Sequence, residues 1–191
     1  RGQNFLTIPP AGGQFEGSGS QTEEEDARYG TGLTSALTFV LPRGQLTVGT
    51  EGRWDRSHYE NYFTTDRTRD SVNALATGVQ ASGALFVQSY TNVTDRLRLD
   101  LGGRADLLDT RSIQPTSLTS GSTGVFSPKV GATYRLVDPL SAYVNVSRGF
   151  RSTDGVLFDP TLAVITEWDY EGGLRFNRRG VFASAALFRM N

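Results

Sequence analysis

The chain has 191 residues, a formal net charge of −1, one histidine and no cysteine. Without cysteine there is neither a disulfide frame nor a thiolate metal site, and His58 alone cannot supply a histidine metal cluster. The near-neutral balance gives no basic footprint for nucleic acid, and no apolar run approaches the roughly 18 residues of a membrane-crossing helix. No enzymatic activity and no cofactor are expected from this composition.

Residues 1–26 hold Pro9-Pro10, Gly12-Gly13, Gly17-Ser18-Gly19-Ser20 and the acidic run Glu23-Glu24-Glu25-Asp26, a mixture that breaks strands and reads as a long extracellular loop. The acidic run is either a solvated charged stretch or a recruiter of a divalent cation. From Arg28 to Leu41 a loosely alternating strand places Tyr29, Leu33, Leu37, Phe39 and Leu41 on one face. After a turn at Pro42-Arg43-Gly44, Leu46, Val48 and Trp54 oppose Thr47, Glu51, Arg53 and Asp55.

The polar, aromatic stretch 56–70 reads as a projecting loop, followed by a long strand from Ser71 to Tyr90. Beyond the turn at Asn92-Val93-Thr94-Asp95 comes the best alternation in the chain: Leu97, Leu99, Leu101, Ala105 and Leu107 against Arg98, Asp100, Arg104 and Asp106. Asp109 to Gly124, dominated by Ser, Thr and Gly, reads as a mobile loop. Strands then run from Lys129 to Leu136 and Leu140 to Val146 around a turn at Val137-Asp138-Pro139. A loop at 149–165 leads to a strand in which Trp168, Tyr170, Leu174 and Phe176 oppose Glu167, Asp169, Glu171 and Arg175. After the turn Asn177-Arg178-Arg179-Gly180, the strand Val181–Met190 is apolar on both faces, and its orientation stays open.

These elements make eight strands, with short turns at one end and long connections at the other, which predicts an all-β antiparallel transmembrane barrel. An ionised Arg or Lys costs about 2 to 4 kcal/mol at the bilayer midplane, so the charged faces must line the lumen. There Arg53, Arg98, Arg104, Lys129, Arg135 and Arg175 nearly balance Glu51, Asp55, Asp100, Asp106, Glu167, Asp169 and Glu171. A wall of that kind suits packing around a folded plug or bound water better than ion selection, which needs one dominant sign. Tyr29, Trp54, Tyr134, Trp168 and Tyr170 are expected as interfacial anchors, since amphipathic rings favour the headgroup level.

Ser127-Pro128-Lys129-Val130-Gly131-Ala132-Thr133-Tyr134, Leu140-Ser141-Ala142-Tyr143 and Ser147-Arg148-Gly149-Phe150-Arg151 resemble a recurrent hairpin of TonB-dependent outer-membrane receptors. Phe86-Val87-Gln88, Leu101-Gly102-Gly103-Arg104-Ala105-Asp106, Tyr170-Glu171-Gly172-Gly173-Leu174-Arg175 and Ala186-Leu187-Phe188-Arg189 extend the resemblance over about residues 84–191. It departs from the family at Ser152-Thr153 and Asp159-Pro160-Thr161, where a proline and a glutamate are usual. The resemblance implies a barrel of about 22 strands filled by a plug, of which this chain, beginning at Arg1 and ending at Asn191, is a fragment lacking plug and TonB box. It also implies a bacterial outer-membrane location among lipid, import of a ferric siderophore or else haem or cobalamin, and energy from the TonB complex.

For an anionic, ring-bearing iron chelate, the stretch Tyr59, Tyr62, Phe63, Arg67 and Arg69, and Arg151 further on, would offer stacking and cation contacts. The alternative is an ordinary extracellular loop, its rings part of the aromatic girdle and its charge diluted by Glu60, Asp66 and Asp70. A complete eight-stranded barrel with a structural or adhesive role is the competing function. A secreted carbohydrate-binding sandwich would have strands nearer five or six residues.

Overall fold

The computed structural model describes residues 2–8, 20–152 and 164–191. They form one antiparallel sheet in chain order: β1 (Gly2–Ile8), β2 (Ser20–Leu41), β3 (Gly44–Thr65), β4 (Thr68–Asn92), β5 (Leu97–Gln114), β6 (Ser117–Val137), β7 (Leu140–Arg151), β8 (Ile165–Arg178) and β9 (Val181–Met190). Each strand pairs with its neighbours in sequence, so the sheet is a continuous meander whose edges are β1 and β9. A small closed barrel would bring those two together.

The alternating faces emerge as the sequence predicts. Paired residues share a face, and the rows Phe39–Leu46–Ser89–Leu101–Val130–Val146–Tyr170 and Thr34–Glu51–Ala84–Asp106–Val125 run across the sheet on opposite sides. The polar side is the crowded, concave one: Asp55, Asp106, Thr110 and Ser112 are buried there beside Ala84, Leu108 and Val125. The apolar side is the open, convex one, where Leu33 is 76% and Leu187 85% exposed. Burial is thus inverted relative to a water-soluble domain, as it must be where hydrocarbon replaces water outside. The open question of β9 is settled by its register: Ala183, Ala185, Leu187 and Arg189 lie opposite Phe176, Leu174, Gly172 and Tyr170, on the convex face.

Three expected loops are strands instead. β3 and β4 stay paired from Gly44↔Thr91 up to Thr65↔Thr68, so 56–70 is a β-ribbon closed by Asp66-Arg67, whose φ values of 51° and 62° make a left-handed two-residue turn. The stretch 109–124 is likewise paired, from Asp109↔Ser122 to Gln114↔Ser117. Within 1–26, Gly2–Ile8 forms β1 against Ser20–Asp26, which makes nine described strands rather than eight; the prolines and glycines of 9–19 lie outside the described residues. The same holds for 153–163 within the expected loop 149–165, and the flanking residues extend β7 to Arg151 and begin β8 at Ile165.

The physical reason is one of surroundings. A strand tilted through a bilayer needs about 9 to 11 residues, whereas β2 to β6 have 22, 22, 25, 18 and 21. Past the lipid both faces meet water and the two-residue hydrophobic period fades, while the backbone ladder continues. Two register shifts near the β3–β4 tip, at Asn61/Tyr62 and Phe63/Thr64, add local twist.

Close approach on the concave face depends on glycine at two positions. A Cβ on Gly49 would collide with the Phe86 ring and the Ser35 carbonyl, and one on Gly173 with the Tyr143 ring and the Ala185 carbonyl. In both cases an inward aromatic lies over a glycine of the adjacent strand.

Candidate functional site

Two regions carry the polar chemistry. The first is the concave wall, where alternate residues of β3 to β8 project inward and their charges pair within the sheet. Arg104 reaches Asp106 at 2.9 Å and Glu51 at 3.1 Å, bridging β5 to β3. Asp55 takes Arg53 at 2.9 Å and Arg28 at 3.3 Å. Arg98 pairs with Asp100 at 2.6 Å and stacks over the Tyr90 ring, 4.1 Å from its centroid. Arg175 lies 4.0 Å over Tyr143, whose hydroxyl donates to Glu171. Arg and carboxylate alternate across this face without one sign dominating, as the sequence leads one to expect. Towards the short-turn end the wall hollows into a cavity of about 390 Å³ that includes Gln88, Arg98, Asp100, Lys129, Tyr143 and Asn145.

The second region is the tip of the β2–β4 ribbon, which holds the predicted ligand contacts. Pairing sorts them onto two faces. Tyr62 and Arg69 are on the convex face: Arg69 lies 4.1 Å over the Tyr62 ring and is gripped by Glu23 at 2.7 Å and Glu25 at 2.6 Å. Those two hydrogen-bonded carboxylates hold the guanidinium even more firmly protonated than usual. The Tyr62 hydroxyl donates to Glu60 at 2.8 Å, which raises the phenol's pKa. That bond, reinforced by His58 at 3.0 Å, lowers the Glu60 carboxyl below the ordinary carboxylate range. His58 in turn meets the Thr77 hydroxyl through Nδ1 at 2.9 Å.

Tyr59 is on the concave face. Burial, then its donation to Glu24 at 3.0 Å, pushes its phenol pKa up, and Asn61 joins the same group. Phe63 is exposed on that side, and Arg67 sits at the turn, its backbone N–H donating to Gln21 at 2.9 Å. Arg151 ends β7, separated from β4 by β5 and β6, and so is not part of this cluster.

The acidic run is therefore a strand with its carboxylates dealt alternately to two faces. Among the described residues no three metal-ligating side chains converge. Sequence inspection missed the Glu23–Arg69–Glu25 clamp because its partners are 44 to 46 residues apart; the signal was the two-residue spacing of Glu23 and Glu25.

The predicted anchors fall where interfacial rings belong. Tyr29, Trp54, Trp168 and Tyr170 are all substantially exposed on the convex face, eight to twelve residues from the short-turn end of their strands. Tyr134 is equally exposed on that face, close to the β6–β7 turn. Two aromatic levels bracket an apolar band, as in the wall of an outer-membrane barrel.

Comparison with known proteins names the class more closely. The family described as TonB dependent receptor-like, beta-barrel, matches residues 2–191, and the chain belongs to it. Its members are outer-membrane β-barrel proteins, transporters rather than enzymes. Among solved structures, the ferripyoverdine receptor of Pseudomonas aeruginosa bound to ferripyoverdine is similar at 21% identity and TM-score 0.68, over 90% of this chain and 26% of that one. The alcaligin outer-membrane receptor FauA of Bordetella pertussis matches at 20% identity and TM-score 0.68, over 90% and 30%. The copper transporter OprC matches at 14% and 0.74, over 97% and 33%. At these identities the likeness is one of fold, and the chain spans about a quarter to a third of each. No curated protein sequence matches.

Proposed function

We propose that this chain is part of the wall of an energised importer that takes up a scarce ligand, foremost a ferric siderophore and otherwise haem or cobalamin. TonB, acting through a plug and TonB box carried elsewhere in the full-length receptor, supplies the energy. The observation that carries this reading is the internally neutralised concave wall beneath ribbons about twice the length a bilayer needs. A wall whose charges already satisfy one another offers a packing surface for a plug that later moves, and long ribbons put binding groups outside the membrane. Two of the structurally similar proteins are described as a ferripyoverdine receptor and an alcaligin outer-membrane receptor, which supports an iron-chelate ligand.

The ligand contacts proposed are Tyr59, Tyr62, Phe63, Arg67, Arg69 and Arg151, with roles divided by their surroundings. Arg69 and Tyr62, committed to Glu23, Glu25 and Glu60, hold the ribbon in shape; exposed Phe63 and the turn residue Arg67 offer stacking and charge. The test is a fluorescence titration of the full-length receptor with ferric siderophores, haem and cobalamin. One of these should bind, and Phe63→Ala and Arg67→Ala should each weaken it by roughly tenfold. Unchanged affinity in both variants would contradict the contact assignment, and absence of binding by every probe would contradict the importer.

A further inference from the structure

Where β7, β8 and β9 meet the upper edge of the apolar band, the carboxylates of β8 and two arginines of β7 and β9 part to opposite faces. Glu167, Asp169 and Glu171 point to the concave side, while Arg148 and Arg189 are on the convex side with Trp168, Tyr170 and Phe150. No carboxylate shares that convex stretch of the three strands. Arg148 is directly opposite Trp168, and Tyr170 directly opposite Arg189. The two rings between the arginines stack at a centroid separation of 6.4 Å and are 39% and 43% exposed.

The level is that of lipid headgroups. Arg148 is eight residues along from Leu140, and Arg189 eight along from Val181. At about 3.4 Å per residue and a tilt near 40°, that is roughly 20 Å above the short-turn rim, close to the far edge of an apolar band about 25 Å tall. The short-turn rim of such barrels is the periplasmic one, so this far edge is the outer leaflet.

The arginines are held in place. β6 and β7 pair only from Lys129↔Ser147 to Val137↔Leu140, Pro128 having no N–H to continue the ladder. Across that seam Arg148 Nη1 donates to the Phe126 carbonyl at 3.3 Å, while its Nε is buried with no partner among the described residues. Arg189 Nε donates to the Asn191 side chain at 2.9 Å, and the Asn191 backbone pairs with Trp168. Among the described residues neither guanidinium meets a carboxylate. From strand spacing and register the two Cα atoms are roughly 12 Å apart, so two long side chains can grip one phosphate between them or two on one headgroup.

We infer that Arg148, Trp168, Tyr170 and Arg189 form an outward-facing site for a phosphate-bearing lipid headgroup of the outer leaflet. A guanidinium fork matches phosphate oxygens two at a time, and the stacked rings seat the sugar or glycerol above the acyl chains. Charge complementarity selects this occupant: a neutral lipid would leave two cations unmatched at the water boundary. The site is independent of whatever passes through the lumen.

The test uses the full-length receptor, delipidated in neutral detergent and examined by native mass spectrometry with a diphosphorylated disaccharide lipid, its dephosphorylated form and inorganic phosphate as probes. The diphosphorylated lipid should be retained in preference to the other two, and R148Q/R189Q should cut retention by roughly tenfold or more. R111Q, which removes an outward arginine already paired with Asp109 at 3.2 Å, should leave it unchanged. Should the double variant fail the heat-dependent gel shift of a folded barrel, R189Q alone, on an exposed residue, gives the same reading. Equal retention of both lipids, equal retention by the variant, or binding of free phosphate alone would overturn the inference.

Discussion

At single positions, the sequence properties that matter most are size and charge in a crowded concave face. Gly173→Val should be among the more damaging changes in the chain, because the new side chain has the Ala185 carbonyl and the Tyr143 ring in its path. The expected loss is roughly 1 to 3 kcal/mol, read as a lower urea midpoint in refolding of the full-length receptor. Loss of the Tyr143 contacts to Glu171 and Arg175 should follow. Glu60 gives a pH dependence with a definite sign. Its folded-state pKa is depressed, by Tyr62 first and His58 second, so its stabilisation is fully present above the ordinary carboxylate range and is lost as pH falls through the depressed value. Amide exchange in the ribbon tip should therefore accelerate relative to the membrane band on acidification below about pH 4.5, and the step should vanish in Glu60→Gln. An acid step of the same size in the variant would show that another carboxylate is responsible.

Among the strands, β5 shows how much was legible beforehand and where legibility ended. Leu101 and Arg104 are three residues apart yet face different media, and a change to arginine should register that. Leu101→Arg puts a cation into hydrocarbon and should cost about 2 to 4 kcal/mol in lipid refolding. Gln88→Arg, exposed on the wet face and lining its cavity, should cost far less; equal penalties would mean that the faces are misassigned. The leucines of 97–107 could be placed from sequence because lipid on one side and water on the other impose a two-residue period. A few residues further on, Asp109 to Gly124 lose that period, since both faces are wet, and a paired ribbon is then indistinguishable by pattern from a loop. The turn Asp66-Arg67 hid the β3–β4 ribbon for a related reason: it takes a left-handed conformation without the Asn-Gly or Asp-Gly pair that usually announces it. The faces of Tyr62 and Phe63, and the grip of Glu23 and Glu25 on Arg69, depend on the register of β2 against β3 and on two bulges, which no local pattern encodes.

For the wall as a body, stability comes from ladders and lateral pairing rather than from a buried apolar core, and its function depends on the two media it separates. The chain has no cysteine, so once any cysteine elsewhere in the full-length receptor is replaced, single cysteines can be placed along β5 and labelled with a fluorophore in reconstituted bilayers. Labels at 97, 99 and 101 should be quenched by lipid-borne nitroxides and spared by a water-soluble quencher. Labels at 98, 100, 104 and 106 should show the opposite. The same quenching at both sets of positions, or the reverse order, would contradict a wall with hydrocarbon outside and a polar lumen within.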